Sequence, residues 1–96
     1  MQFENSVTVS GILHHIKKEK QNEKYFLFAV KQEAEKEDGS IRKDFLVTRV
    51  FIPEVAQVAR SLDGGTTIKV SGELRVSPGS GEMYIYALNI EKGEKY

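Results

Sequence analysis

The stretch GTTIKVSGELRV, residues 65–76, sets a glycine in the middle of what otherwise alternates like a β-strand, and SVTVSGILHHI, residues 6–16, repeats the device. In the first, Ile68, Val70, Gly72 and Leu74 share one face, while Lys69, Ser71, Glu73 and Arg75 share the other. In the second, Val7 and Val9 alternate with Thr8 and Ser10. That period of two belongs to strands with one buried face. A glycine inside such a strand permits a bulge or sharp bend and lets a neighbouring backbone come close. Strong curvature of this kind is what a small closed barrel needs. The two VSGxL copies are therefore expected side by side, with Val9 and Val70 inward and Gly11 and Gly72 relieving crowding where the sheet closes.

Working outward, YFLFAVKQ (25–32) reads as a second strand, with Phe26, Phe28 and Val30 on one face and Tyr25, Leu27, Ala29 and Lys31 on the other. DFLVTRVFI (44–52) reads as a third, carrying Phe45, Val47, Arg49 and Phe51 against Leu46, Thr48, Val50 and Ile52. Polar KKEKQNEK (17–24) joins the first two strands as a loop. EAEKEDGSIRK (33–43), acidic in front and basic behind, reads as a long hairpin loop turning at Asp38-Gly39. Pro53 suits the first turn of a helix, and PEVAQVARSL places Val55, Ala56, Val58, Ala59 and Leu62 at helical spacing before Gly64-Gly65 ends it. After the strand of residues 66–76, SPGSGE turns the chain into a fifth strand, MYIYALNI (83–90), and the sequence closes on the polar EKGEKY.

The order β-β-β-α-β-β, with one short helix between strands three and four, predicts an all-β protein built as a five-stranded OB-fold barrel. That architecture binds oligonucleotides or oligosaccharides on one face. Ninety-six residues suffice for one domain, here 1–96 with its core at about 5–91.

Composition narrows the classes of function. Fourteen basic residues balance fourteen acidic ones, so no overall field draws in a polyanion, and any nucleic-acid contact has to rest on local patches. Cysteine is absent, which removes disulfides and thiolate metal sites and fits a reducing cytoplasm. The opening MQFENSVTV has neither the basic region nor the apolar run of a secretion signal, and no membrane-spanning segment is expected. His14 and His15 are adjacent on a strand and point to opposite faces, so they do not share a metal. No nucleophile with its base, no carboxylate pair and no phosphate-cradling glycine loop is evident, since Gly64-Gly65 follows a helix instead of opening one. The expectation is a binding protein, not an enzyme, without cofactor or metal.

The ordered set of motifs resembles the bacterial single-stranded-DNA-binding protein family. The resemblance rests on V-x-V-x-G-x-L (Val7–Leu13), F-x-F-A-V (Phe26–Val30), D-F-L-V-T-R-V-F (Asp44–Phe51), the helix E-V-A-x-x-A-x-x-L and G-T-T-I-K-V-S-G-E-L-R (Gly65–Arg75), and covers residues 5–90. It implies an OB barrel working as a homodimer or homotetramer, stacking bases on aromatics and holding phosphates with basic side chains. On that resemblance Phe45 and Phe51 occupy the stacking positions of the third strand.

There are departures. The turn SPGSGE is short and has no tryptophan, the loop used for wrapping DNA carries Glu33, Glu35, Glu37 and Asp38, and no glycine-rich linker or acidic tail precedes the last residue, Tyr96. A tailless variant is expected, similar also to the primosomal protein B family and to single-strand binders of phages, plasmids and mobile elements.

Apart from the family, the third strand itself points to binding. With Leu46, Val50 and Ile52 in the core, Phe45, Val47 and Phe51 are left outside with Arg49 between them. Aromatics interleaved with a cation form a stacking platform for unpaired bases, although the same composition suits a subunit interface. Lys69 and Arg75 on strand four, and Lys31 with Tyr25 on strand two, would extend a basic stripe across the sheet. Lys17, Lys18, Arg42 and Lys43 would reach phosphates from the loops. Tyr84 and Tyr86 share a face of strand five; Tyr84 is placed in the site, and one of the pair is expected to pack. The predicted function is binding of single-stranded DNA with little sequence preference, in replication, recombination or mobile-element transfer, with proteins of those processes as possible partners. The alternatives are an OB-fold protein-interaction or primosome-type assembly module, or an RNA binder.

Overall fold

The computed structural model describes residues 3–93, so Met1, Gln2 and Glu94–Tyr96 of the expected domain and its polar end lie outside the described residues. The strands are β1 (Val7–His15), β2 (Phe26–Glu35), β3 (Ile41–Val50), β4 (Thr67–Val76) and β5 (Met83–Lys92), with helix α1 (Pro53–Ser61) between β3 and β4. They close into a barrel in the order β1-β2-β3-β5-β4, in which only the β3–β5 contact is parallel.

The twin glycine segments lie antiparallel to one another. Val9 faces Val70, Gly11 faces Ile68 and Val7 faces Gly72. A Cβ on Gly11 would sit 2.5 Å from the Lys31 carbonyl oxygen and 2.8 Å from Val30 Cγ1, and one on Gly72 would run into the Tyr86 carbonyl. Opposite Gly72 the ladder slips: Ser71 pairs with Asn89 but Gly72 with Ala87, which leaves Leu88 as an extra residue bulged out of β5. The bulge restores the inward phase, so that Ile85, Ala87 and Ile90 are all buried.

Inward residues of all five strands fill the barrel. Leu13, Phe28, Val30, Val50, Ile68 and Val70 are essentially without exposure, and Ala56 and Ala59 of α1 join the same cluster. Thr48 is the one fully buried polar side chain among the described residues, its hydroxyl donating to the Leu46 carbonyl at 3.2 Å. Val55 and Leu62 of the helical pattern pack against this core, whereas Val58 faces outward. The His15 Nε2 lies 2.8 Å from the Leu62 carbonyl and tethers the exit of α1 to β1.

Several boundaries differ from the sequence reading. Residues 33–43 are not a long loop: β2 runs to Glu35, β3 begins at Ile41, and the turn is confined to 36–40. The acidic front and basic back become facing strands, with Glu33 opposite Lys43, Ala34 opposite Arg42 and Glu35 opposite Ile41, so Glu33–Lys43 is the directly opposed pair of opposite charge. Gly39, with φ at +87°, makes the turn, and Asp38 accepts from the Ser40 hydroxyl and amide. Strand β3 ends at Val50, because Pro53 starts the helix and Ile52, placed in the core by alternation, becomes its half-buried N-cap. The loop 17–24 contains a single 3-10 turn, Lys18–Lys20, and is pinned by the Gln21 amide, which exchanges two hydrogen bonds with the backbone of Leu27. Leu74 keeps the inward phase but stays 43% exposed, since it lies past the end of the packed core in an open apolar cleft with Val7, Val9, Leu46 and Met83.

Candidate nucleic-acid interface

The outer face of β3 presents Phe45, Val47 and Arg49, and Phe51 continues it just past the strand's end, because the inward positions are taken by Leu46, Thr48 and Val50. Phe45, Val47 and Phe51 are exposed by 49%, 44% and 37%, high for apolar side chains on a strand. The β3–β5 register sets Arg49 beside Tyr86 and Thr48 beside Ile85, so both tyrosines of β5 project onto this face.

The result is a continuous band across four strands. The Arg49 guanidinium lies over the Tyr25 ring at 4.7 Å and over the Tyr84 ring at 4.2 Å. Tyr25 meets Phe51 at 5.1 Å between centroids, Phe51 stacks on Tyr86 at 5.2 Å, and Arg75 of β4 lies 4.0 Å above Tyr86. Cations over aromatic faces are attracted by the ring quadrupole. The Nε of Arg49 is buried with no protein hydrogen-bond partner, so contact with the rings, not a fixed polar network, holds this side chain. Such a band offers flat π-surfaces and two guanidinium groups with hydrogen-bonding capacity in reserve, as base stacking and phosphate contact require.

The expected site residues fall into distinct places. Phe51, Arg49, Tyr25, Tyr84 and Arg75 come together in the band. Phe45 stands apart, six residues and about 20 Å along β3 from Phe51, beside Lys31, its cross-strand partner. Lys31 is ion-paired with Glu33 at 3.3 Å, and Arg75 with Glu73 at 3.1 Å, both at the partly exposed surface where such pairs contribute little and exchange readily. Arg42 pairs with Asp44 at 3.2 Å and, with Lys69, lines a groove of mixed charge between the β2–β3 hairpin and the β1–β4 edge. Lys31 and Lys69 line this same groove, whereas Tyr25 and Arg75 lie in the band, so the expected basic stripe is divided between two surfaces. Lys43 faces Glu33 across the hairpin, and Lys17 and Lys18 are exposed on the first loop.

Tyr86 was not among the expected site residues, yet it touches both Phe51 and Arg75. The two-residue spacing from Tyr84 already put both rings on one face; what the sequence lacked was the parallel β3–β5 register and the bulge at Leu88, which decide which face that is.

No protein-family model matches the chain, and no curated protein matches it. Solved structures do. A small single-stranded DNA-binding protein from Mycoplasma pneumoniae superposes with a TM-score of 0.71 at 18% identity, over 98% of this chain and 99% of that one. The chain carries an OB-fold. The dimeric N-terminal domain of PriB protein from Thermoanaerobacter tencongensis aligns with a TM-score of 0.63 at 20% identity, over 95% and 98% of the two chains. A small single-stranded DNA-binding protein from Streptomyces coelicolor gives 0.60 at 14%, over 96% of each. These likenesses extend over nearly the whole barrel.

Proposed function

We propose that this protein binds single-stranded DNA with little sequence preference, laying bases on the outer face of the OB barrel. The observation that carries the reading is the unbroken band Tyr84–Arg49–Tyr25–Phe51–Tyr86–Arg75. Every base has a π-face, so a stacking band of this kind tolerates sequence, each stacked base contributing about 1–3 kcal/mol. The structural likeness to two small single-stranded DNA-binding proteins supports the same reading. Phosphates would be met by Arg49, Arg75 and Lys31, with Lys17, Lys18 and Lys43 at the margins, and binding would weaken with salt.

Its role is binding, not catalysis, within the cytoplasm, during replication, recombination or transfer of a mobile element. It works as a homodimer or homotetramer; the dimeric PriB neighbour and the open apolar cleft beside Leu74 and Met83 favour self-association.

The test is a titration of fluorescently labelled oligo(dT) at low and moderate salt with the wild type and the Phe45→Ala/Phe51→Ala double variant. Tight, salt-sensitive binding lost in the double variant is expected. Absence of binding at low salt, with an oligomer that dissociates in the double variant, would overturn the reading in favour of a protein interface, and a parallel oligo(U) titration reports preference between the two sugars.

A further inference from the structure

The histidine at position 14 has no role in the band, and the absence of a metal-ligand cluster among the described residues leaves its chemistry unassigned. Its position is specific. Leu13 takes the inward site of β1, so His14 projects from the outer face and is exposed, opposite Ala29 of β2. Ala29 has only a methyl group, and the imidazole passes over it to reach the next strand but one. There it meets Phe45 with 5.1 Å between ring centroids and 65° between planes, an edge-to-face contact. The imidazole flanks Phe45 while leaving that ring 49% exposed.

We infer that His14 and Phe45 form a second nucleotide-binding subsite, separate from the band, in which His14 holds Phe45 on edge for stacking and, when protonated, meets the phosphate of the same nucleotide. This inference rests on the single-stranded-DNA reading above. Phe45 has no other aromatic neighbour among the described residues, in contrast to Phe51, which is braced by Tyr25 and Tyr86. Without His14 it would be a lone ring on a flat strand face. Histidine is the side chain that changes charge between about pH 5 and 8, so it can add a positive charge directly beside the Phe45 ring.

The charged groups around this corner are few. On β2, Lys31 is engaged with Glu33; on β3, Lys43 lies opposite Glu33; on β4, Lys69 faces Ser10, four residues from His14 along β1. The carboxylate at the corner, Glu33, already has a cation, which leaves a protonated His14 available to a phosphate. A phosphate at this subsite favours the charged imidazolium, so affinity is expected to rise from pH 8 to pH 5.5. One added phosphate contact on a single strand steepens the plot of log K against log salt by roughly 0.7, which at ~0.1 M salt corresponds to about fivefold in affinity.

The experiment is titration of labelled oligo(dT) at pH 5.5 and pH 8, at two salt concentrations, with the wild type, His14→Phe, His14→Ala and Phe51→Ala. The wild type should bind about fivefold more tightly at pH 5.5, with the steeper salt slope. His14→Phe keeps the edge-to-face contact without the charge, so it should match the wild type at pH 8 and lose the pH dependence. His14→Ala should be weaker at both. The inference is overturned if His14→Ala binds like the wild type at both pH values, or if the pH effect survives in His14→Phe and so belongs to another group. A failure confined to His14, with binding still lost in Phe51→Ala, leaves the band and its function standing. Wild type that binds at neither pH takes both readings down.

Discussion

The ring of Phe51 lies nearly parallel to that of Tyr86, with 15° between their planes and 5.2 Å between their centroids. Phe51 follows the last residue of β3, and Tyr86 lies on β5, brought alongside by the parallel register. Each ring fixes the tilt of the other, so under the proposed function the pair should act as one platform. Phe51→Ala and Tyr86→Ala should each weaken oligo(dT) binding by about 1–3 kcal/mol. The double variant should lose clearly less than the sum, since either truncation already releases the surviving ring. Binding isotherms for the three variants, with a denaturation curve for each, measure the coupling.

Arg49 is held by two rings and by no protein hydrogen bond at Nε. Lysine would keep the charge but not the planar contact. Arg49→Lys is expected to bind about five- to tenfold more weakly with an unchanged salt slope, whereas Arg49→Met should also flatten the slope by roughly 0.7. Stability should fall in both, by about 1–2 kcal/mol, since the guanidinium is partly buried between two rings and a desolvated cation–π contact is worth more than an exposed one.

Gly72 and Gly39 are required for different physical reasons, and alanine separates them. A methyl group on Gly72 would drive into the Tyr86 carbonyl beside the Leu88 bulge, where backbone and not a flexible side chain must yield. Gly72→Ala should destabilise the barrel by about 3 kcal/mol or more. Gly39 has open space around it but a φ of +87°, so Gly39→Ala should cost only about 1–2 kcal/mol. Urea unfolding of both variants gives the comparison.

The contrast also explains what the sequence made legible. Alternation in residues 6–16 and 65–76 exposed two glycines where side chains were due, and together with the order of strands and helix that predicted the barrel and the two segments side by side. The outward set on β3 followed from the same alternation. What alternation does not carry is register between strands far apart in sequence, so Tyr86 and the His14–Phe45 contact emerged only with the fold. In the hairpin at 33–43, charges that look like loop polarity along the chain stand exposed on paired strands, with Glu33 facing Lys43.

Asp38 offers a local pH effect. The Ser40 hydroxyl, first, and the Ser40 backbone amide hold its carboxyl below the ordinary 3.8 by hydrogen-bonding to the charged form. A carboxyl depressed in the folded state stabilises the turn above its unfolded value, and that contribution disappears as pH falls through the folded value. The Ser40 amide resonance should therefore shift at a pH below 3.8, and Asp38→Asn should abolish the shift without unfolding the barrel.

Asn5 continues the β1–β4 ladder with its side chain. Beyond the Val7–Gly72 pair, its amide donates to the Leu74 carbonyl at 2.7 Å and its carbonyl oxygen accepts from the Leu74 N–H at 2.9 Å. The two bonds reproduce a strand pair where the main chain has already left the sheet, and they hold the rim of the apolar cleft. Each is worth about 0.5–1.5 kcal/mol net. Asn5→Ala should then destabilise by about 1–2 kcal/mol and raise hydrogen exchange at Leu74. Asn5→Asp retains the acceptor but loses the donor, so it should protect the Leu74 amide while recovering only part of the stability. If both variants matched the wild type in exchange at Leu74, the side-chain pair would have no part in closing that end of the barrel.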